Sequence, residues 1–319
     1  MNTLQHRRVE TNGISMHIAE QGSGPLVLLC HGFPETSWSW RRQMQPLADA
    51  GFHAVAPDMR GYGQTDRPEV IDQYSLFHLV GDMVGLLDAL GAEQAVIVGH
   101  DWGAPVAWHS ALMRPDRFRA VAGLSVPYRP RSAARPTSVM PRTEDSQFYQ
   151  LYFQTPGLAE AELQRDVRHS LSAIMTGAFS SGDGALIPGM VREGGGFLDG
   201  LHVGPQPPPW LPADELEPFV AAFEASGFAG GLNWYRNIDR NWELLAPFAG
   251  AKVTVPALYV AGDHDLVVRF PGMMRAIEGL KRDVPDLRET LLLPGCGHWT
   301  QQERSEEVNA ALVRFLKGL

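Results

Sequence analysis

The stretch from Ala95 to Gly103, Ala-Val-Ile-Val-Gly-His-Asp-Trp-Gly, restricts the fold of this chain more than any other. A short apolar run enters a Gly-x-Asp-x-Gly turn, and a helix-compatible segment leaves it. Such a sharp strand-to-helix turn lifts its central side chain above the end of a sheet, and Gly99 and Gly103 leave room around that strained position. Where Gly-x-Ser-x-Gly would present a hydroxyl, this sequence presents the carboxylate of Asp101. A carboxylate that attacks an electrophilic saturated carbon forms an alkyl ester whose carbonyl belongs to the protein, so water must then attack Asp101 itself. Ordinary serine-esterase chemistry is excluded. The alternative role for Asp101 is to cap the helix beginning near Ala104, since aspartate is a favoured N-cap.

The flanking sequence supplies a sheet for this turn. His6 to Glu10 and Ile14 to Ala19 are short alternating runs joined by Thr11-Asn12-Gly13, a strong hairpin signal. Leu26 to Cys30 is an unbroken apolar run of the kind that forms a strand buried on both faces. Trp38 to Ala50 fits a helix, Phe52 to Ala56 a strand, and Tyr74 to Leu90 an amphipathic helix closed by Gly91. A further helix runs to about Met113 and a strand covers Ala120 to Ser125. Strands alternating with helices in this way imply a parallel sheet with helices on both faces.

From about Pro127 to Gly250 the alternation stops. Helices are expected over Asp145 to Phe153, Glu160 to Met175 and Ala213 to Ala225, flanking a long Gly- and Pro-rich loop from Ser180 to Pro212. This reads as a helical lid over the strand ends. The strand-helix pattern then resumes with Pro256 to Ala261, a helix around Gly272 to Leu280, strand Leu287 to Leu293, and a last helix whose candidate caps are Thr300 and Ser305.

Composition narrows the class of function. With 44% apolar and 20% charged residues the chain is an ordinary globular one, and no segment approaches the roughly 20 apolar residues that span a bilayer. The N-terminus does not read as a secretory signal, so a cytoplasmic location is expected. A net charge of −9 with acids and bases interspersed argues against nucleic acid as a partner. Cys30 and Cys296 have no metal-type spacing, and the 11 histidines form no recognisable ligand motif, so neither a metal nor a disulfide framework is expected.

An esterified aspartate needs a base to activate water for the second step, and histidine suits that task near neutral pH. His298, in Pro294-Gly295-Cys296-Gly297-His298-Trp299 just after the last strand, is the candidate. The orienting acid should follow the preceding strand, where Gly262-Asp263-His264-Asp265 offers two carboxylates; Asp265 is chosen, with Asp263 as the alternative. Negative charge developing on Asp101 calls for backbone N–H donors: the turn supplies that of Trp102, and the loop after the Cys30 strand most simply supplies that of Phe33. His31 and Pro34 are expected to shape the Phe33 loop, and Asp58 and Arg60 to be structural.

Three motifs carry a resemblance. His31-Gly32-Phe33-Pro34, Gly99-His100-Asp101-Trp102-Gly103 and Gly295-Cys296-Gly297-His298-Trp299 are similar to those of the soluble-type epoxide hydrolases of the α/β-hydrolase superfamily. The similarity covers nearly the whole chain, and it extends to Phe148-Tyr149-Gln150-Leu151-Tyr152-Phe153-Gln154 and Leu232-Asn233-Trp234-Tyr235-Arg236-Asn237. It implies an α/β-hydrolase fold: a mostly parallel eight-stranded sheet with helices on both faces, a core formed by residues 1–127 and 251–319, and an inserted cap over residues 128–250. It implies Tyr149 and Tyr235 as the tyrosines that activate an epoxide oxygen, with Tyr152 the competing assignment for the first. Phe33, Pro34, Trp102, Tyr152 and Trp234 are expected to line the substrate pocket.

The activity so implied is conversion of a small apolar epoxide and water to a vicinal diol. It needs no cofactor and no membrane insertion, and a homodimer is left open. Haloalkane dehalogenases also pair an aspartate nucleophile with a following tryptophan, and there Trp102 would bind the departing halide. Against that alternative, Phe33 offers no side-chain donor to a halide. A binding protein on the same fold would carry a defective triad, and no defect is visible in the sequence.

Overall fold

The computed structural model describes residues 3–179 and 188–319. Eight strands form one sheet: β1 (Gln5–Thr11), β2 (Ile14–Gly22), β3 (Leu26–Cys30), β4 (His53–Pro57), β5 (Ala95–His100), β6 (Phe118–Leu124), β7 (Ala257–Gly262) and β8 (Leu287–Leu293). Their order is β1-β2-β4-β3-β5-β6-β7-β8. The β1–β2 hairpin and the β2–β4 pair are antiparallel, and the remaining neighbours are parallel. This is the α/β-hydrolase architecture expected from the sequence.

Alternation along each central strand divides the core in two. Leu26, Leu28, Ile97, Val121 and Tyr259 point to the face covered by the Leu76–Ala89 and Gly103–Met113 helices. Val27, Leu29, Val96, Val98, Ala120 and Val260 point to the other, where Met44 and Leu47 of Arg41–Asp49 meet Leu312 and Phe315 of Ser305–Lys317. Strands β3, β5 and β7 are buried along their whole length, which explains why each reads as an apolar run rather than an alternating one. Parallel pairing also brings the strands' C-terminal ends to a common edge, with Cys30 opposite Gly99 and Gly99 opposite Gly123. The loops leaving that edge carry His31, Asp101, Ser125, Asp265 and His298. The C-terminal edge of an open parallel sheet is where such folds place their chemistry.

Between Leu124 and Ala257 the chain leaves the sheet. Its longer helices there are Val167–Thr176, Ala213–Ser226, Ala229–Arg236 and Ile238–Leu244. Polar contacts tie this segment to the sheet layer. The Trp234 indole N–H donates to the Arg60 carbonyl at 3.0 Å, Asn237 Nδ2 to that of Ile71 at 2.7 Å, and Arg41 pairs with Glu215.

Several expectations need correction here. Asp145 to Phe153 is not one helix: Ser146–Phe148 is a strand paired with Met190–Arg192, and only Tyr149–Tyr152 is helical. The expected helix Glu160 to Met175 is broken into Leu158–Leu163 and Val167–Thr176, the second capped by the Asp166 carboxylate. Of the Ser180 to Pro212 loop, residues 180–187 lie outside the described residues. The rest includes two short strands, Met190–Arg192 and Leu201–His202, the latter paired with Ala178–Phe179. Thr300 and Ser305 are the first residues of their helices rather than caps. Asp58 and Arg60 are indeed buried and committed: Asp58 accepts from Ser37 N, Gln64 N and His17, and Arg60 pairs with Asp82. No helix among the described residues is long and apolar enough to cross a membrane.

Candidate active site

Asp101 sits in the turn between β5 and the Gly103–Met113 helix with φ +50°, in the left-handed region that a non-glycine residue enters only under constraint. Close packing imposes that turn. A Cβ on Gly99 would overlap the Gly103 carbonyl, and one on Gly103 would overlap the Cys30 carbonyl, so the helix can start hard against the sheet only with glycine at both places. The Asp101 side chain caps nothing, because the helix has no side-chain cap bond. Its Oδ1 accepts the Phe33 N–H at 2.8 Å, and its Oδ2 lies 3.6 Å from His298 Nε2.

On its other side His298 places Nδ1 2.9 Å from Asp265 Oδ1. Asp265 is fully buried and also accepts the Val267 N–H at 2.8 Å. Asp263, the alternative acid, is largely exposed and accepts the Gly295 N–H at 2.7 Å, so it closes the loop that carries His298 and does not touch the imidazole. Burial alone would lower the His298 pKa, but the flanking Asp265 and Asp101 carboxylates outweigh it and hold the imidazole well above its ordinary 6.5. Burial alone would raise the Asp101 pKa, and the bonds and charge of His298, with the Phe33 N–H, bring it below the usual carboxylate value. Both shifts favour a carboxylate on Asp101 facing an imidazolium on His298.

Across the cavity stand Tyr149 and Tyr235, their ring centroids 6.0 Å apart. Burial, reinforced by neighbouring negative charge, raises both phenol pKa values, so both stay protonated across the neutral range. The cavity wall among the described residues includes Phe33, Phe153, Leu266, Val267 and Trp299, which is apolar apart from Asp101, His298 and the two phenols. A larger cavity of about 370 Å³ lies elsewhere, between His6, His17 and the Ala213–Ser226 helix, and holds none of these groups.

Gly32 leaves the space that the Asp101 turn needs, since a Cβ there would overlap the Asp101 carboxylate. Gly32→Ala is expected to keep the fold, judged by circular dichroism, while lowering turnover ~100-fold, the usual effect of displacing a reacting group by about 1 Å.

A protein-family model for the alpha/beta hydrolase fold matches residues 25–305. The protein named Epoxide hydrolase A from Mycobacterium tuberculosis is 46% identical over 326 residues, covering 100% of this chain and 99% of its own. Epoxide hydrolase 1 of Siraitia grosvenorii is 41% identical over 99% of both chains. The crystal structure of Epoxide Hydrolase A from Mycobacterium thermoresistibile superposes with a TM-score of 0.93 at 48% identity over 99% of both chains. The chain belongs to the epoxide hydrolases of the α/β-hydrolase superfamily.

Within this epoxide-hydrolase framework the structure brings Asp101, His298, Asp265, Tyr149, Tyr235 and the Phe33 N–H together. Of the five residues expected to line the pocket, Phe33 is in its wall, and Pro34, Trp102, Tyr152 and Trp234 are not. Tyr152 is buried away from the cavity, its hydroxyl donating to Glu162 at 2.8 Å, although its i+3 spacing from Tyr149 would allow both to share a helix face. Trp234, about 100° around the helix from Tyr235, is buried with its indole N–H on the Arg60 carbonyl. Pro34 follows a cis Phe33–Pro34 bond and shapes the loop without lining the cavity.

Two further neighbours of the site were not singled out from the sequence. The Ser125 hydroxyl, at a position with φ +68°, lies 3.1 Å from His298 Nδ1. His100 Nδ1 lies 3.0 Å from buried Glu35 and its Nε2 2.8 Å from the His298 carbonyl, so a hidden carboxylate props the histidine loop from beneath. The clue for Ser125 was its place after β6 on the same sheet edge. Glu35 gave none, because its partners His100, Gln301 and Gln302 come from remote parts of the chain.

Proposed function

We propose that the protein hydrolyses a small apolar epoxide to a vicinal diol through a covalent hydroxyalkyl ester on Asp101. The observation that carries the reading is the opposition of Asp101, flanked by His298 and Asp265, to two neutral phenols across an apolar cavity. Asp101 attacks a ring carbon while Tyr149 and Tyr235 donate hydrogen bonds to the epoxide oxygen and one of them supplies its proton. Phenols suit this role because their O–H is a donor that stays intact at neutral pH. The core comprises residues 1–127 and 251–319, and residues 128–250 form the cap that brings the phenols over the nucleophile.

Esterification neutralises Asp101 and removes one of the two charges that hold His298 protonated. The imidazole pKa then falls, and His298, still oriented by Asp265, becomes the base that takes a proton from the attacking water. The Phe33 and Trp102 N–H groups stabilise the oxyanion on the former Asp101 carboxyl. A base thus becomes available only after the nucleophile has reacted. This ordering gives a sign for pH dependence: ester hydrolysis is expected to rise with pH through the His298 pKa of the ester and then level. Attack by Asp101, already ionised, stays flat through the neutral range. Pre-steady-state rates of the two steps against pH check both.

The dehalogenase alternative needs the Trp102 indole N–H for a halide. The Phe33 side chain adds no second donor for a halide, whereas the paired phenols Tyr149 and Tyr235 have a use with an epoxide oxygen. A single turnover in water enriched in heavy oxygen tests the epoxide reading. The account expects unlabelled diol and a labelled Asp101 carboxyl; label in the first diol formed would mean that water attacks the epoxide directly.

A further inference from the structure

A phenol oxygen has one hydrogen to give and two lone pairs to fill, and where its hydrogen points depends on what occupies the lone pairs. Tyr149 and Tyr235 have matching surroundings in this respect. Gln150 Nε2 donates to the Tyr149 hydroxyl oxygen at 3.1 Å. The Trp102 indole, whose N–H can only donate, packs edge-to-face on the Tyr235 ring with centroids 5.0 Å apart, and its presence lowers the Tyr235 phenol pKa against the effect of burial.

The backbone around these donors is also fixed. Gln154 Nε2 donates both to the Gln150 carbonyl at 2.8 Å and to the Tyr235 carbonyl at 2.9 Å, joining the two tyrosine-bearing segments. Arg236, next to Tyr235, donates to the Phe153 carbonyl at 3.1 Å and makes an ion pair with Glu160.

We propose that Gln150 and Trp102 are positioning residues for ring opening. Each fills the lone-pair side of one phenol with an N–H, so that the phenol hydrogen is left to point at the epoxide oxygen. The same N–H groups stabilise the phenol oxygen as it gives up its proton, so their contribution grows on the way to the transition state. Trp102 thereby has two uses in this reading, its backbone N–H for the oxyanion and its indole for the Tyr235 phenol. The inference rests on the epoxide reading above and extends it to residues that never touch the substrate.

The test uses the His298→Gln protein, in which the ester accumulates, and measures the single-turnover rate of ester formation with styrene oxide by intact mass. Gln150→Met removes the donor at similar length and is expected to slow ester formation ~10-fold, about the worth of one hydrogen bond. Gln150→Glu does more, because a carboxylate accepts the Tyr149 hydrogen and turns it away from the epoxide. It is expected to slow the step ~100-fold, close to the effect of Tyr149→Phe. In a Tyr149→Phe background neither change should matter further, and Trp102→Phe should likewise lose its effect in a Tyr235→Phe background.

A merely structural role for Gln150 would instead slow ester formation equally in both backgrounds. That additivity would overturn the proposal, as would a Gln150→Glu protein that matches its parent. Should the His298→Gln parent alkylate with no epoxide, the functional reading falls and this proposal with it. A parent that alkylates while the Gln150 variants keep its rate removes the proposal alone.

Discussion

Asp101→Ala is expected to abolish turnover, lowering kcat by at least ~10⁴-fold, the scale seen when a nucleophile that forms a covalent intermediate is removed. The geometry leaves no substitute. Asp265 is screened from the cavity by the His298 ring and is committed to Nδ1 and the Val267 N–H. Water could be activated only by a histidine that has lost one of its two carboxylate neighbours. The same variant should lower the His298 pKa, because one of the charges that raises it is gone. Proton NMR of the imidazole checks this directly. Alanine at a position with φ +50° costs about 1 kcal/mol of backbone strain, so the protein should fold with a slightly lower melting temperature. Turnover by a folded Asp101→Ala protein would contradict the account.

The second large effect belongs to the phenols. In an apolar cavity an alkoxide left without a proton or a hydrogen bond is far costlier than in water. Tyr149→Phe with Tyr235→Phe is expected to slow ester formation by ~10³-fold or more, while each single change costs about 10- to 100-fold because the other phenol remains. Hydrolysis of an ester already formed should be nearly unaffected, since that step uses His298, oriented by Asp265, and not the phenols. Rapid-quench measurement of both steps separates them. An unchanged rate of ester formation in the double variant would remove the tyrosines from the mechanism.

Much of this was legible in the sequence because local chemistry dictated it. The strand before Asp101 and the glycines around it can adopt few conformations other than a tight strand-to-helix turn. Strands β3, β5 and β7 announce their burial by unbroken apolar runs, and Leu287–Leu293 begins and ends where the sequence places it. Asp265 and His298 are found by counting strands, since parallel order fixes which loops share an edge.

The cap was less legible. Ser146–Phe148 is a strand only because Met190–Arg192 lies beside it, a partner far along the chain that no local pattern reveals. Tyr152 and Trp234 look like pocket residues because aromatics cluster around them. Whether an aromatic faces a cavity or a carbonyl depends on helix phase and docking, and only three dimensions settle that. Glu35 was missed for the same reason: a buried carboxylate paired with His100 from another loop leaves no mark on spacing.

The most direct test of the central claim is the intact mass of His298→Gln after exposure to epoxides, with peptide mapping of any adduct. Glutamine at this position preserves size but cannot serve as a base, so the first step should proceed and the second should stop. The account predicts a gain of one whole epoxide mass per chain, located on Asp101 and stable over the time in which the unaltered protein completes many turnovers. An adduct on another residue, or a folded protein that releases diol without ever carrying one, would contradict it.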